Sequence, residues 1–203
     1  MSDTPRIRAA TRDDAFAISA LISRLTRQSI APHCSSDGAR TLLASMTPAE
    51  VLDRLTGDPA GDQYRYHVVT VHHPDGSEAA HLDAAGARAA GSRIAGIERI
   101  VGVIAMRLPS HLYHLFVDEA MQGRGLARSL WHTSTAELFA LTGERPITVN
   151  AAPDAVAVYK RLGFSVDGTQ ATRAGIPSIP MRWWPGVEDK ATSLNSHSNG
   201  TDV

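Results

Sequence analysis

A single cysteine, Cys34, in 203 residues has no partner for an intramolecular disulfide, so the chain is not a small disulfide-stapled scaffold. An excess of either charge is missing too: 20 Lys and Arg stand against 21 Asp and Glu, for a net charge of −1. That balance gives no electrostatic reason to expect nucleic acid or an anionic membrane as a partner. No apolar run is long enough to span a bilayer, and the start MSDTPRIRAATRDD has no apolar signal region, so the expected location is cytoplasmic. Internal repeats are absent. His72 and His73 are adjacent rather than at zinc-like spacing, and His81, His33 and Cys34 complete no ligand set. These are expected to be surface residues, and no metal is expected.

What is present is concentrated in Gln122-Gly123-Arg124-Gly125-Leu126-Ala127. A strand-like run, Leu112 to Val117, closes on Asp118-Glu119 before it, and a helical pattern over 124–142 follows, with Leu126, Leu130, Ser134, Leu138 and Leu141 on one stripe. Strand, glycine turn and helix N-terminus together make an anion site: the first helical N–H groups lack intrahelical partners and the dipole favours negative charge there. Dinucleotide binding would need G-x-G-x-x-G, but Arg128 stands where the third glycine belongs. A G-x-x-x-x-G-K-[ST] phosphate loop is absent.

The pattern that fits is Q-x-x-G-x-A, with Gln122, Gly125 and Ala127 at its fixed positions. It resembles the acetyl-CoA-binding motif of the GNAT superfamily of N-acetyltransferases. A second element follows in the right order: the β-branched run from Ile147 into Asn150-Ala151-Ala152, then Pro153 opening a helix with Ala155, Val158, Tyr159 and Leu162 on one face and Gly163 closing it. The run A-x-x-x-Y-x-x-x-G-F is similar to the fourth helix and its exit in GNAT proteins, and V-N-A-A-P resembles a bacterial subgroup of unassigned substrate. The resemblance covers roughly residues 5–185 and is sharpest over 98–184.

It implies an α/β (α+β) fold: a central mixed, twisted sheet of about six to seven strands, flanked by about four helices, whose parallel fourth and fifth strands splay apart. The expected organisation is a short extension at 1–5, one GNAT domain at 6–185 and a polar, disordered tail at 186–203. Within the domain, strands are expected at 6–9, 66–71, 100–107 and 179–184. Thr11 and Asp14 suggest a capping box for a first helix with Phe16, Ile18, Leu21, Ile22 and Leu25 on its apolar face. Residues 28–46 read as irregular, with a turn at 35–38 and a short helical turn around 38–44. Thr47-Pro48-Ala49-Glu50 starts another helix, which ends near Leu55. Residues 72–97, rich in Ala and Gly, are expected to be a partly mobile surface insertion between the second and third strands.

The resemblance also implies roles. The backbone of Phe116 and Val117 would pair with the pantetheine arm, the Val117 N–H facing the thioester carbonyl, and Gln122, Gly123, Arg124, Gly125, Leu126, Ala127 and Arg128 would cradle the pyrophosphate. Tyr159 stands where the family places the acid that protonates the CoA thiolate; the plainer alternative is core packing on the Ala155 and Leu162 stripe. His111, eleven residues before Gln122, occupies the base position, or else is a half-buried histidine that bonds a loop. His114 is a weaker candidate. Asn150 either contacts cofactor or a catalytic water, or caps the next helix.

The expected function is therefore transfer of an acetyl group from acetyl-CoA, a cosubstrate, to a primary amine by direct attack. The alternatives are a GNAT-fold module that binds acyl-CoA without turnover, or a nucleotide-binding domain of another fold. The acceptor would be a small-molecule or peptide amine, with no nucleic acid or membrane partner and homodimerisation open. Its site would form from the first helices, the 28–46 segment and the last strands, where His33, Ser35, Ser36, Asp37 and Arg40 mix with Leu42, Leu43 and Met46 and no charge dominates.

Overall fold

A computed structural model describes residues 4–57, 63–73 and 97–186. Among these, eight strands run in the order β1 (Arg6–Ala9), β2 (Tyr64–His73), β3 (Ile97–Arg107), β4 (His111–Val117), β5 (Ile147–Ala151), β6 (Ser165–Val166), β7 (Ala171–Arg173) and β8 (Ile176–Trp183). Five helices accompany them: α1 (Ala15–Ser29), α2 (Ser36–Ala44), α3 (Pro48–Thr56), α4 (Leu126–Thr142) and α5 (Val156–Arg161). The sheet order is β1-β2-β3-β4-β5-β8-β6, with β7 paired to β8. Every pairing is antiparallel except β4 with β5, which α4 connects as a crossover. This is the mixed sheet expected, with one more strand and one more helix than the upper expectation.

Two apolar clusters sandwich the sheet. On one face α4 and α5 bury Leu126, Leu130, Trp131, Leu138 and Tyr159 against Ile104, Met106, Leu112 and Val149. On the other, α1 and α3 bury Ile18, Ile22, Leu25 and Val51 against Tyr66, Val68 and Val103. Two stripe assignments fail at their ends. Phe16 is 71% exposed and Leu141 53% exposed; Ala15 covers the first turn of α1, and Trp131 and Thr135 widen the buried face of α4 instead.

The capping signals at Thr11 and Thr47 form as expected. Thr11 N donates to Asp14 Oδ2 at 2.7 Å, and Thr47 Oγ1 accepts from Glu50 N at 3.3 Å. The expected turn at 35–38 is a helix start: Ser35 Oγ accepts from Gly38 N at 3.1 Å and caps the nine-residue α2. The β6 and β7 pieces, two and three residues long, are too short to leave a periodicity in the sequence. Of the 72–97 insertion, residues 72, 73 and 97 belong to β2 and β3, while 74–96 lie outside the described residues, as do 1–3 and 187–203, which hold most of the extension and tail.

Candidate active site

Strands β4 and β5 pair at only two positions, His111 with Thr148 and Leu112 with Val149. Beyond them β4 bends. Ala105 of β3 faces His114 while Met106 faces Leu112, so Tyr113 is an extra, bulged residue. Meanwhile β5 stays with β8, Asn150 opposite Pro180 and Ala151 opposite Ile179. The two parallel strands thus part from Tyr113 and Asn150 onward, toward their C-terminal ends.

Which backbone groups face that gap follows from the ladder on the other side of β4. Asp118 N donates to Val101 O at 2.8 Å, and groups alternate along an antiparallel strand. Phe116 and His114 therefore direct their N–H and C=O toward β3, and Leu115 and Val117 direct theirs into the gap. Val117 opens to the gap as expected; the amide of Phe116 does not, and Leu115 takes its place. The bulge at Tyr113 shifts the alternation, and nothing in the sequence announces it. Gln122 reaches back so that its Nε2 donates to Val117 O at 3.1 Å.

At the same end of β4 the chain turns into α4. Met121 and Leu126 are buried anchors, while residues 122–125 between them are exposed. Gly123 and Gly125 have φ of +74° and +77°, and a side chain at either would meet open space. Gly125 is the N-cap of α4, and no side chain caps it. Its first-turn N–H groups are thus offered outward. The helix carries no acid in its first turn, and Arg124 precedes it while Arg128 lies within it. Two guanidinium groups oppose the positive end of a helix dipole, a local cost that an anion bound there would reverse. Arg128 Nη2 makes one long contact, 3.5 Å to Arg161 O.

Across the gap, Pro153–Ala155 form a 3-10 turn before α5. Tyr159 is buried against Phe164, ring centroids 5.6 Å apart, and burial pushes its phenol well above its ordinary pKa. It stays protonated at any working pH, the form a proton donor needs. Asn150 is exposed; Ala152 is the residue at the cap position of that turn, so the helix-cap alternative for Asn150 does not form.

The α1/α3 face of β4 is aromatic. Tyr113 lies 4.3 Å from the His114 ring and 5.1 Å from that of Tyr64, and Phe116 lies 5.7 Å from His114. The Arg54 guanidinium sits over Tyr113 at 5.3 Å and Tyr64 at 5.8 Å while donating to Ser45 O at 2.8 Å. His114 is buried, its Nε2 has no hydrogen-bond partner, and desolvation, with Arg54 adding, pushes its pKa down to about 3. At the paired end of β4, His111 Nδ1 lies 2.9 Å from Thr148 Oγ1. Burial, with a contribution from Arg107, lowers its pKa to about 4.

A cavity of about 470 Å³ lies beyond the end of β5, lined by His33, Ser35, Gln170 and Thr172 with Pro153 and Pro177. His33, expected to be a plain surface residue, is held with its Nε2 2.7 Å from Asp154 Oδ2. Glycines close the cavity wall. The β7–β8 turn, Ala174-Gly175, takes φ of +49° and +77°, a two-residue hairpin turn. Gly175 O accepts from Ser35 N at 2.9 Å. A Cβ on Gly38 would stand 2.5 Å from that carbonyl oxygen, so the helix and hairpin meet backbone to backbone. Among the described residues no cluster of three or more His, Cys, Asp or Glu is disposed to hold a metal, and no helix is long and apolar enough to cross a membrane.

A family model, the acetyltransferase (GNAT) domain, matches residues 90–184, which hold β3 through β8, the splayed strands and the glycine turn. This match, together with the shared fold, supports membership of the GNAT superfamily. The chain is an acyltransferase, with N-acetyl transfer as the general chemistry of its family. Solved GNAT structures share its fold at low identity. A GCN5-related N-acetyltransferase from Rhodopseudomonas palustris aligns with a TM-score of 0.62 at 17% identity, covering 91% of this chain and 98% of that one. The PaiA N-acetyltransferase of Thermoplasma acidophilum, solved in complex with coenzyme A, gives 0.63 at 10%, covering 89% and 99%. A ribosomal-protein-S5-alanine acetyltransferase from Vibrio fischeri gives 0.54 at 18%, covering 92% and 96%. No curated protein matches the sequence.

Proposed function

We propose that this GNAT protein moves an acetyl group from acetyl-CoA to a primary amine by direct attack, releasing CoA, and that residues 6–185 form the one domain that does so. One observation carries the reading: the uncapped N-terminus of α4, with Gly123 and Gly125 open to solvent, stands beside the Leu115 and Val117 N–H groups, which no neighbouring strand takes up. Residues 122–128 would hold the pyrophosphate through first-turn N–H groups, with Arg124 and Arg128 adding charge. The amides of Leu115 and Val117 would meet the pantetheine arm, and one of them would stabilise the negative charge that develops on the thioester oxygen. Asn150 stands at the opening on the β5 side.

Tyr159 is the proposed proton donor to the departing thiolate. For the base, the resemblance implies His111. Its Nδ1 is engaged by Thr148, so Nε2 is the nitrogen left to accept a proton, and a pKa near 4 makes it a weak acceptor at neutral pH. The pH profile of His111→Ala decides its part. Loss of the ascending limb of kcat/KM makes His111 the base; a lower rate with that limb retained makes it a positioning residue acting through Thr148.

Titration calorimetry with CoA, alongside a thiol-release assay with acetyl-CoA and a panel of amines, tests the whole. The expected result is CoA binding and acceptor-dependent thiol release. Binding without acceptor-dependent release from any amine would overturn the assignment of turnover to a primary amine.

A further inference from the structure

We propose that the cavity beyond β5 takes a small, hydroxylated primary amine, and that the His33–Asp154 pair receives it. Asp154 attracts the ammonium group and His33 removes its proton before attack. This rests on the acetyl-transfer reading above and supplies what that reading lacks, a basic group exposed to the acceptor.

The placement comes from the sheet. Because β4 and β5 are parallel, their C-terminal ends lie at the same edge, and there the gap opens. Pro153, which lines the cavity, is two residues past Ala151, the last residue of β5. His111 lies at the opposite, closed end of β4, six residues from Val117, or roughly 20 Å along an extended strand. His114 is sealed beneath Tyr113 and Phe116. His33 is 45% exposed at its side chain and faces the cavity.

The pairing sets the chemistry. With Nε2 against the Asp154 carboxylate at 2.7 Å, the proton of neutral His33 sits on Nε2 and Nδ1 is the free acceptor. The other charged groups nearby leave this arrangement alone. Asp37 and Arg40 of α2 pair with each other, Arg173 of β7 is exposed, and the neighbouring Cys34 thiol, raised in pKa by burial, points to Ile30 O at 3.5 Å.

The lining names the acceptor class. Ser35, Thr172 and Gln170 offer hydroxyls and an amide, and Pro153 and Pro177 offer flat apolar faces for a C–H-rich ring or chain. Among the described residues no lysine or arginine lines the cavity, so an anionic acceptor finds no counter-charge there, and a large aromatic one would leave the polar groups unpaired. A volume of about 470 Å³ suits a metabolite-sized molecule.

The protons balance. The ammonium gives one proton to His33 Nδ1, which later passes it to solvent. The neutral amine nitrogen then bonds the thioester carbonyl carbon, and the carbon–sulfur bond breaks. The second proton shed by nitrogen matches the one the thiolate gains through Tyr159. The products are an amide and free CoA thiol.

The test uses the full chain with acetyl-CoA and four amines: D-glucosamine, 2-aminoethanol, L-glutamate and 2-phenylethylamine. The first two should exceed the last two in kcat/KM by about 10-fold or more. His33→Gln should lower kcat/KM for the preferred amine about 10²-fold at pH 7, and the loss should shrink toward about pH 9.5 as the amine loses its own proton. Asp154→Asn should raise KM for the amine more than it lowers kcat. CoA affinity by calorimetry should be unchanged in both variants. In the wild type, the imidazole NMR signal that His33→Gln removes should shift when D-glucosamine is added. A His33→Gln enzyme with wild-type kcat/KM and pH profile, a static His33 signal, preference for L-glutamate or 2-phenylethylamine, or no turnover of any of the four would each overturn the proposal while leaving CoA binding in place. A wild type that does not bind CoA would instead refute acetyl transfer, and this proposal with it.

Discussion

The opening beside β4 and the cavity beyond β5 are walled by different material. The wall from Leu115 to Arg128 presents backbone: unpaired strand amides, first-turn helix amides and two glycines with nothing in front of them. The wall around the cavity beyond β5 presents side chains, His33, Ser35, Gln170 and Thr172, with Asp154 behind His33, held in place by contacts between distant segments. Backbone recognition suits a ligand that never changes, the phosphates and amide-rich arm of a common cosubstrate. Side-chain recognition suits a ligand that one enzyme must tell from others.

The sharpest way to break this contrast is Gly125→Glu. It places a carboxylate where first-turn N–H groups face outward, and CoA affinity measured by calorimetry should fall by roughly 10²-fold or more. Gly125→Ala is the control: it carries only the cost of φ +77°, about 1–2 kcal/mol for a side chain in that conformation, and no charge. It should bind CoA with a smaller loss. Equal, small losses in both variants would remove the phosphate from this turn.

Tyr159→Phe comes next. Its hydroxyl is the one polar atom lost from a buried ring that otherwise packs on Phe164. Turnover should drop about 10²-fold while CoA affinity stays within a few-fold. A loss of affinity with unchanged turnover would make Tyr159 a binding group.

Legibility divides along the same line as the walls. The backbone wall is written locally: glycine spacing, a strand before and a helix after occupy fewer than forty consecutive residues, so the turn from Gln122 to Gly125 between β4 and α4 is legible in the sequence. Even there the bulge at Tyr113 leaves no local mark, because an extra residue is defined only by the register of β3 against β4, and the sequence therefore points to Phe116 where the structure opens Leu115. The side-chain wall is written nonlocally. His33 and Asp154 are 121 positions apart and Gly38 and Gly175 are 137 apart, and neither partner implies the other. The S-S-D-G run has the composition of a turn and becomes a helix start because Ser35 caps α2 and Gly38 gives the hairpin room. The same limit explains Phe16 and Leu141. Helical periodicity marks an apolar face but not where the neighbouring layer ends.

Gly38→Ala probes that second wall alone. The new methyl would stand 2.5 Å from Gly175 O, a backbone atom, so helix and hairpin must separate. The expected cost is about 1–3 kcal/mol, as for overpacking elsewhere, read as a lower midpoint in urea, with a several-fold rise in KM for the amine and unchanged CoA affinity. Weakened CoA binding would show that the walls are not independent.

The smallest effect tests how the face between the walls responds to acid. The burial that strips His114 of a partner and lowers its pKa to about 3, with His111 held near 4, means that the folded protein keeps both rings neutral where the unfolded chain, titrating near 6.5, takes up protons. Their stability contribution is fully present above about pH 6.5 and is lost as pH falls toward 3. Most carboxylates titrate lower, so the slope between pH 6.5 and about 4.5 belongs chiefly to these histidines and to His67, which burial also lowers. His114→Phe keeps an aromatic ring among Tyr66, Tyr113 and Phe116 and removes the titration. Its unfolding midpoint should decline less steeply across that window, by on the order of 1 kcal/mol in total, while the wild-type preference among amines at pH 7.5 is unchanged. A parallel decline in both proteins would mean that the ring reaches water or a partner when it protonates, and that the aromatic face of β4 opens in acid.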